Sequence, residues 1–275
     1  MAANAYGAFA AFYDRLTGDV DYAGLAAYLR DMFLRHRGSL PATVLDLACG
    51  SGSLSLELAA GGAEVIGVDA SEDMLALAGG KAAGAGETIL FLEQDMRELD
   101  LYGTVEGAVC VLDSLSHLLH TADIRAVLRR LRLFLEPGGL FIFDVNTPYK
   151  HREVLGDNAF VFEEEDVCCV WRNRYIPRTC EVAMTLDFFV PTGDGLYERL
   201  TDEVRERAYS EGTLRRLLNE EGFAILAVYG DRSFLPPGPK DERIVFVVRN
   251  ERTMEDAANG TGTNGSTPHT LGMQG

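Results

Sequence analysis

Between Pro41 and Asn146 short apolar runs alternate with longer stretches whose apolar positions recur every three to four residues. The runs "TVLDLAC", "AEVIGVDA", "TILFLEQD", "VEGAVCVLDS" and "LFIFDVN" read as strands. The stretches between them read as helices: "SLSLELAAG" closes at Gly61, "SEDMLALAGGKA" opens on a Ser71 cap, and "TADIRAVLRRLRLFLEPGG" has Thr121 near its start. Strands spaced by helices imply right-handed crossovers and a parallel sheet covered on both faces. The expected fold class is α/β, with a doubly wound core over residues 41–146.

From Thr147 to Arg207 the period drops to two, with turn residues at "PTGDG", which predicts an inserted antiparallel β cap over 147–207. A helix capped by Ser210 and the strands "AILAVYG" and "ERIVFVVRN" then return the chain to the core over 208–250. Ahead of the core, residues 1–40 form a helical segment: Tyr6 to Arg37 reads as helix, with Phe9, Phe12, Tyr13 and Leu16 at helical spacing. Residues 251–275 are small, polar and without period, and are expected to be a disordered tail.

A chain of 275 residues, 47% of them hydrophobic, suits one buried core with embellishments. Acidic residues outnumber basic ones by 42 to 25, and no lysine or arginine cluster is long enough to track a phosphate backbone, so nucleic acid is not an expected partner. No run approaches the length of a membrane span and the first residues lack a secretory pattern; the expectation is a cytoplasmic protein without a membrane partner. The five cysteines are odd in number and none stand in C-x-x-C spacing, so buried free thiols are expected. His117 and His120 lack a third ligand, and no metal is expected.

The candidate chemistry begins where the first strand meets a turn. Gly50 and Gly52 let a backbone approach a ligand without a Cβ in the way, and Asp69 ends the next strand, where a carboxylate can take the two hydroxyls of a ribose. Ser55 stands where a dinucleotide fingerprint places its third small residue, and Asp46, inside the strand, would repel a pyrophosphate. The pattern points to a nucleoside-containing cofactor with cationic or amino character.

With these residues in place the chain resembles the class I S-adenosylmethionine-dependent methyltransferases. "LDLACGSGSLSLELA", "VIGVDASEDMLALA", "LEQDMREL" and "VCVLDSLSHLL" look like their first four motifs in order. The resemblance implies a seven-stranded Rossmann-like sheet, S-adenosyl-L-methionine as cofactor, and a set of roles. Gly50 and Gly52 would shape the loop around the cofactor's amino-acid moiety, with Asp46 organising that loop's polar contacts; Asp69 would hold the ribose hydroxyls, Ser71 and Met74 would neighbour the adenine, and Asp95 with Met96 would present a carboxylate and a backbone N–H to its edge. Ala48, Ala70, Leu112 and Asp113 would be further cofactor contacts, and Tyr13, in "FYDRL", would belong to a helical lid. Met74 equally fits a core face of its helix, and Asp95 a strand end or turn cap.

"MRELDL" followed by "DSLSHLL" is similar to sugar-amine and glycine N-methyltransferase-like enzymes, which implies a small-molecule amine or other heteroatom as acceptor. His117 and Tyr13 are the candidate catalytic groups; Ser114 and His117, with Trp171 and Arg174 from the inserted cap, whose side chains can stack on and hydrogen-bond a small polar molecule, are the candidate substrate contacts. His117 could instead hydrogen-bond its loop, and the cap could instead form a homodimer interface. Two other readings stay open: an NAD-linked oxidoreductase, weakened by Asp46 and the missing third small residue, and a non-catalytic cofactor-binding module whose cap holds a protein partner.

Overall fold

The computed structural model describes residues 7–253, with side chains from Phe12 onward. The expectations at Tyr6, at the Phe9 side chain and for the tail beyond Thr253 lie outside the described residues. In chain order the elements are helices α1 (Gly7–Leu16) and α2 (Tyr22–Arg37), strand β1 (Thr43–Leu47), α3 (Ser53–Ala60), β2 (Glu64–Asp69), α4 (Glu72–Ala85), β3 (Leu90–Glu93), β4 (Val105–Cys110), α5 (Thr121–Phe134) and β5 (Leu135–Asn146). The cap strands β6 (Ala159–Glu164), β7 (Val167–Ile176), β8 (Glu181–Gly193) and β9 (Leu196–Arg207) follow, then α6 (Glu211–Glu220), β10 (Phe223–Gly230) and β11 (Arg243–Asn250).

One seven-stranded sheet has the order β3-β2-β1-β4-β5-β11-β10. The first five strands pair in parallel, and β11 runs antiparallel to both β5 and β10. The chain winds outward from β1 to β3 and then returns to lay β4 on the other side of β1, so the strand order reverses between β1 and β4. Ligands of open α/β sheets bind beyond the carboxyl ends of the strands at such a reversal.

Strand alternation feeds two cores. In β4, Ala108 and Cys110 join the face packed by α5 and α6, whereas Val109 and, just beyond the strand, Val111 join the face packed by α2 and α3. In β5, Phe141 and Phe143 go to the first face, Leu140 and Ile142 to the second. A third apolar cluster unites Phe12 of α1 with the inner face of the separate β6-β7-β8-β9 sheet through Val182, Met184, Leu186, Phe188 and Val204. Phe12 stacks on Phe188 at 5.4 Å between ring centroids.

Three boundaries differ from the sequence reading. The N-terminal helical stretch is two helices, because Asp21 caps α2 by accepting the Gly24 N–H at 2.8 Å. The helix expected to reach Gly139 stops at Phe134; Pro137 has no N–H to continue it, and Gly138 sits at φ +79°. Between β5 and the cap lies an unforeseen π-helical turn, Lys150–Leu155, entered where Thr147 Oγ1 accepts the Lys150 N–H at 3.1 Å. Among the described residues no helix is long and apolar enough to cross a membrane.

Candidate active site

A cavity of about 430 Å³ opens at the strand reversal, between the carboxyl ends of the parallel strands and the inner face of the cap. Such a volume is typical of small-molecule and cofactor sites. The cavity brings together most of the residues singled out from sequence: Tyr13 from α1; Ala48 and Gly50 after β1; Asp69, Ala70 and Met74 around the end of β2; Asp95 and Met96 after β3; and Leu112, Asp113, Ser114 and His117 after β4. Trp171 reaches it from β7.

Two carboxylates shape the rim in the same way, each pinning the loop that follows the neighbouring parallel strand. Asp69 Oδ2 accepts the Gly50 N–H and its Oδ1 the Ser71 N–H, both at 2.9 Å. Burial raises the Asp69 pKa, against the pull of these backbone donors. Asp144 Oδ2 and Oδ1 accept the N–H groups of Leu112 and Asp113, also at 2.9 Å each. Leu112 and Asp113 stand at φ +56° and +69°, a costly left-handed pair that needs such an anchor. Arg243 of β11 completes it, donating to Asp144 at 3.0 Å and to Asp113 at 2.9 Å.

Local chemistry explains other placements. Ser71 caps α4 by accepting the Met74 N–H at 3.3 Å. Asp95 lies against the Arg97 guanidinium, whose hydrogen bonds hold its carboxyl below the usual range. Ser114 Oγ donates to Val111 O at 2.8 Å. Helix α1 is fastened over the loop after β1 by Asp14 Oδ1, which accepts from Ser51 Oγ and from Lys81 Nζ at 2.6 Å each. This sets the Tyr13 ring above Gly50, where an added Cβ would meet it at 3.9 Å.

Three sequence candidates are placed elsewhere. Arg174 lies on the outer side of the cap: strand alternation separates it from Trp171, three residues earlier, and it lines a groove with Arg172, Thr185 and Arg205. Gly52 does not line the cavity; it caps α3 at φ +75° and touches α4, where a Cβ would stand 2.8 Å from the Ala78 Cβ. Replacing Gly52 with alanine should therefore cost about 3 kcal/mol through left-handed strain and overpacking. An unchanged midpoint in urea unfolding would contradict this.

Asp46 lies behind the loop, 2% exposed, lining a small recess of about 30 Å³ that shares Tyr13, Ala48, Leu112 and Ser114 with the main cavity. Its Oδ2 accepts from Ser55 Oγ at 2.6 Å, and burial pushes its carboxyl up to about 6.

Sequence reasoning missed Asp144, Arg243 and a third group, Glu206 of β9, which lines the cavity beside His117. The alternation that sends Asp202 and Val204 inward sends Glu206 inward as well, and that signal was available in "TDEVRER". Burial raises the Glu206 pKa, but the His151 ring at 3.5 Å, the nearby His117 and the Asn146 amide outweigh it and hold the carboxyl below its ordinary range.

The residues present fit a nucleoside cofactor. A carboxylate ends β2 with acceptor capacity left, apolar walls from Ala70, Met74 and Met96 flank it, and Gly50 presents bare backbone beneath the Tyr13 ring.

A family model described as a methyltransferase domain matches residues 44–139. A putative methyltransferase of Geobacillus sp. (strain WCH70) is 32% identical over 89% of this chain and 99% of its own length. A glycine/sarcosine N-methyltransferase of Halorhodospira halochloris is 25% identical, covering 89% of each chain. The crystal structure of a S-adenosylmethionine-dependent methyltransferase from Clostridium acetobutylicum ATCC 824 superposes with a TM-score of 0.80 at 30% identity, over 90% of this chain and 99% of that one. With the strand reversal, the carboxylate-pinned loops and the cavity at their carboxyl ends, these matches show that the chain belongs to the S-adenosylmethionine-dependent methyltransferases of class I fold.

Proposed function

We propose that this methyltransferase acts on an amine nitrogen of a small molecule held between the sheet and the cap. The observation that carries the reading is the cavity itself: about 430 Å³, bounded by the sheet below and by Trp171, Met184, Leu186 and Val204 of the cap above. That enclosure suits a small acceptor better than a polymer. The similarity to a glycine/sarcosine N-methyltransferase supports nitrogen as the acceptor atom. The five free cysteines support a reducing, cytoplasmic setting.

When bound, S-adenosylmethionine supplies a methyl group on a sulfonium, open to in-line displacement by a nitrogen lone pair. In this reading Asp69 takes the ribose hydroxyls, and Ala70, Met74, Asp95 and Met96 take the adenine. Ala48, Gly50, Leu112 and Asp113 shape the backbone around the amino-acid moiety, with Asp46 in the recess beside it. Tyr13, carried on α1, closes the site from above and excludes water. At the acceptor end Ser114 and Trp171 contact the substrate. His117, which lines the cavity after β4, receives the proton that the nitrogen must lose. Most of the acceleration comes from orientation, as in other displacements between two held reactants.

Calorimetric titration with S-adenosylmethionine, S-adenosylhomocysteine and NAD tests the cofactor half of this reading; the two adenosyl ligands should bind and NAD should stay silent. Mass spectrometry on matched amines and alcohols incubated with the enzyme and S-adenosylmethionine tests the other half. Methylation confined to amines is expected. Methylation of hydroxyl partners alone would end the nitrogen assignment.

A further inference from the structure

The acceptor end of the cavity holds a buried charge that the proposed mechanism does not use. Glu206 is 7% exposed, and its carboxylate lines the cavity. Its Oε2 accepts from Asn146 Nδ2 at 2.9 Å and faces His151 Nε2 at 3.5 Å. Lys150 Nζ donates to Asn146 Oδ1 at 2.9 Å, which fixes the amide so that its NH₂ points at Glu206. His151 is fully buried, with Nδ1 3.1 Å from the Cys180 carbonyl. A carbonyl can only accept, so Nδ1 carries a hydrogen, and Nε2 faces the carboxylate, to which only an imidazolium would donate a second N–H. Nε2 makes no hydrogen bond among the described residues.

Asn146, at the end of β5 and itself fixed by Lys150, thus holds one carboxylate contributed by the far end of the cap, with His151 facing it. Sequestering an anion is costly unless its remaining acceptor capacity is met. A carboxylate offers about four acceptor sites, and both polar contacts given above fall on Oε2. The nearby cation of Arg243 is already shared between Asp113 and Asp144. Lys150 is likewise turned to Asn146 and, at 4.0 Å, to Asp113. What the cavity presents at Glu206 is an oriented anionic acceptor.

The geometry points to Glu206 as the group that recognises the amine of the methyl acceptor, with Asn146 and His151 as its positioning residues. The inference rests on the amine reading above and deepens it. An acceptor N–H donated to Glu206 leaves the nitrogen lone pair free to face the transferred methyl. An anionic group at the same place is repelled, so selection acts against carboxylates as well as for amines. The substrate class is a small amine that is a cation in water and gives up one proton before or during transfer.

Sinefungin, a cofactor analogue in which a carbon bearing an amino group replaces the methylated sulfonium, presents an ammonium where the methyl would stand. S-adenosylhomocysteine presents nothing there. Calorimetric titration of both ligands should show Glu206→Gln losing sinefungin affinity by on the order of 10- to 100-fold, the scale of a charge-assisted hydrogen bond. Affinity for S-adenosylhomocysteine should stay within about twofold, since nothing of that ligand reaches Glu206. His151→Gln should lose a few-fold by the same comparison, because the carboxylate is then less well held, and it serves in place of Glu206→Gln if that variant fails to fold. Glu206→Asp should recover part of the loss. Equal sinefungin affinity in the wild type and both variants overturns the assignment while leaving the cofactor reading intact. Silence of the wild type toward both ligands overturns the cofactor reading, and this inference with it.

Discussion

Replacing Asp69 with alanine is expected to lower the affinity for S-adenosylhomocysteine by about 10³-fold in calorimetric titration, the equivalent of about 4 kcal/mol for two hydrogen bonds to a charged acceptor. Asp69 does two jobs that this substitution separates. It pins Gly50 and Ser71 through their backbone N–H groups, which uses two of its acceptor sites, and it stands at the strand end with capacity left for the two ribose hydroxyls. Losing the first job leaves two N–H groups at the rim to find water, a stability cost of about 1–3 kcal/mol visible as a lower melting temperature. Losing the second shows only in binding. Asp69→Asn fills the same space but turns one acceptor into a donor, so its affinity should fall between those of wild type and alanine variant. Should the alanine variant melt earlier yet bind S-adenosylhomocysteine as the wild type does, Asp69 is a loop clip and the ribose is held elsewhere.

The parts of this site that were legible in the sequence are those written in local pattern. Alternating apolar runs and helical stretches disclosed the sheet, and a turn carrying glycine followed by an acid at the next strand end located the cavity. Where spacing alone was used, geometry intervened. Gly52 looked like part of a cofactor cradle because it stands two residues from Gly50, yet its missing side chain makes room for Ala78 of α4, a contact that no local pattern records. Trp171 and Arg174 were grouped by proximity along the chain, although three residues on a strand lead to opposite faces. The same rule of two, applied to β9, would have brought Glu206 into the site. Asp144 and Arg243 had no such signal, because the clamp on Leu112 and Asp113 joins residues 99 and 130 positions apart in two of its contacts.

Asp46→Asn should move stability and cofactor affinity in opposite directions. The native carboxyl titrates at about 6, chiefly because it is buried, with the negative Asp69 nearby adding to the effect. An exposed aspartate titrates near 3.9, so the native state binds the proton more tightly than the unfolded chain. Above pH 6 the group is ionised in both states and its burial costs the wild type about 3 kcal/mol; as the pH falls from 6 to 4 the native carboxyl takes up its proton and the cost disappears. Asparagine keeps an acceptor for Ser55 Oγ and carries no charge. The variant should therefore unfold at higher urea than the wild type at pH 8, and the advantage should shrink to nothing near pH 4. Binding runs the other way, since the recess of about 30 Å³ beside Asp46 has room for one amino group. An ammonium placed there would be stabilised by the ionised carboxylate, so Asp46→Asn should weaken S-adenosylhomocysteine by about 10- to 100-fold at pH 8. In the wild type, binding near pH 6 should release a proton, detected as a dependence of the titration heat on the buffer, and the variant should release none. A variant that gains stability but binds as tightly as the wild type would leave the ammonium outside the recess, and Asp46 would then be a buried charge kept for its bond to Ser55 alone.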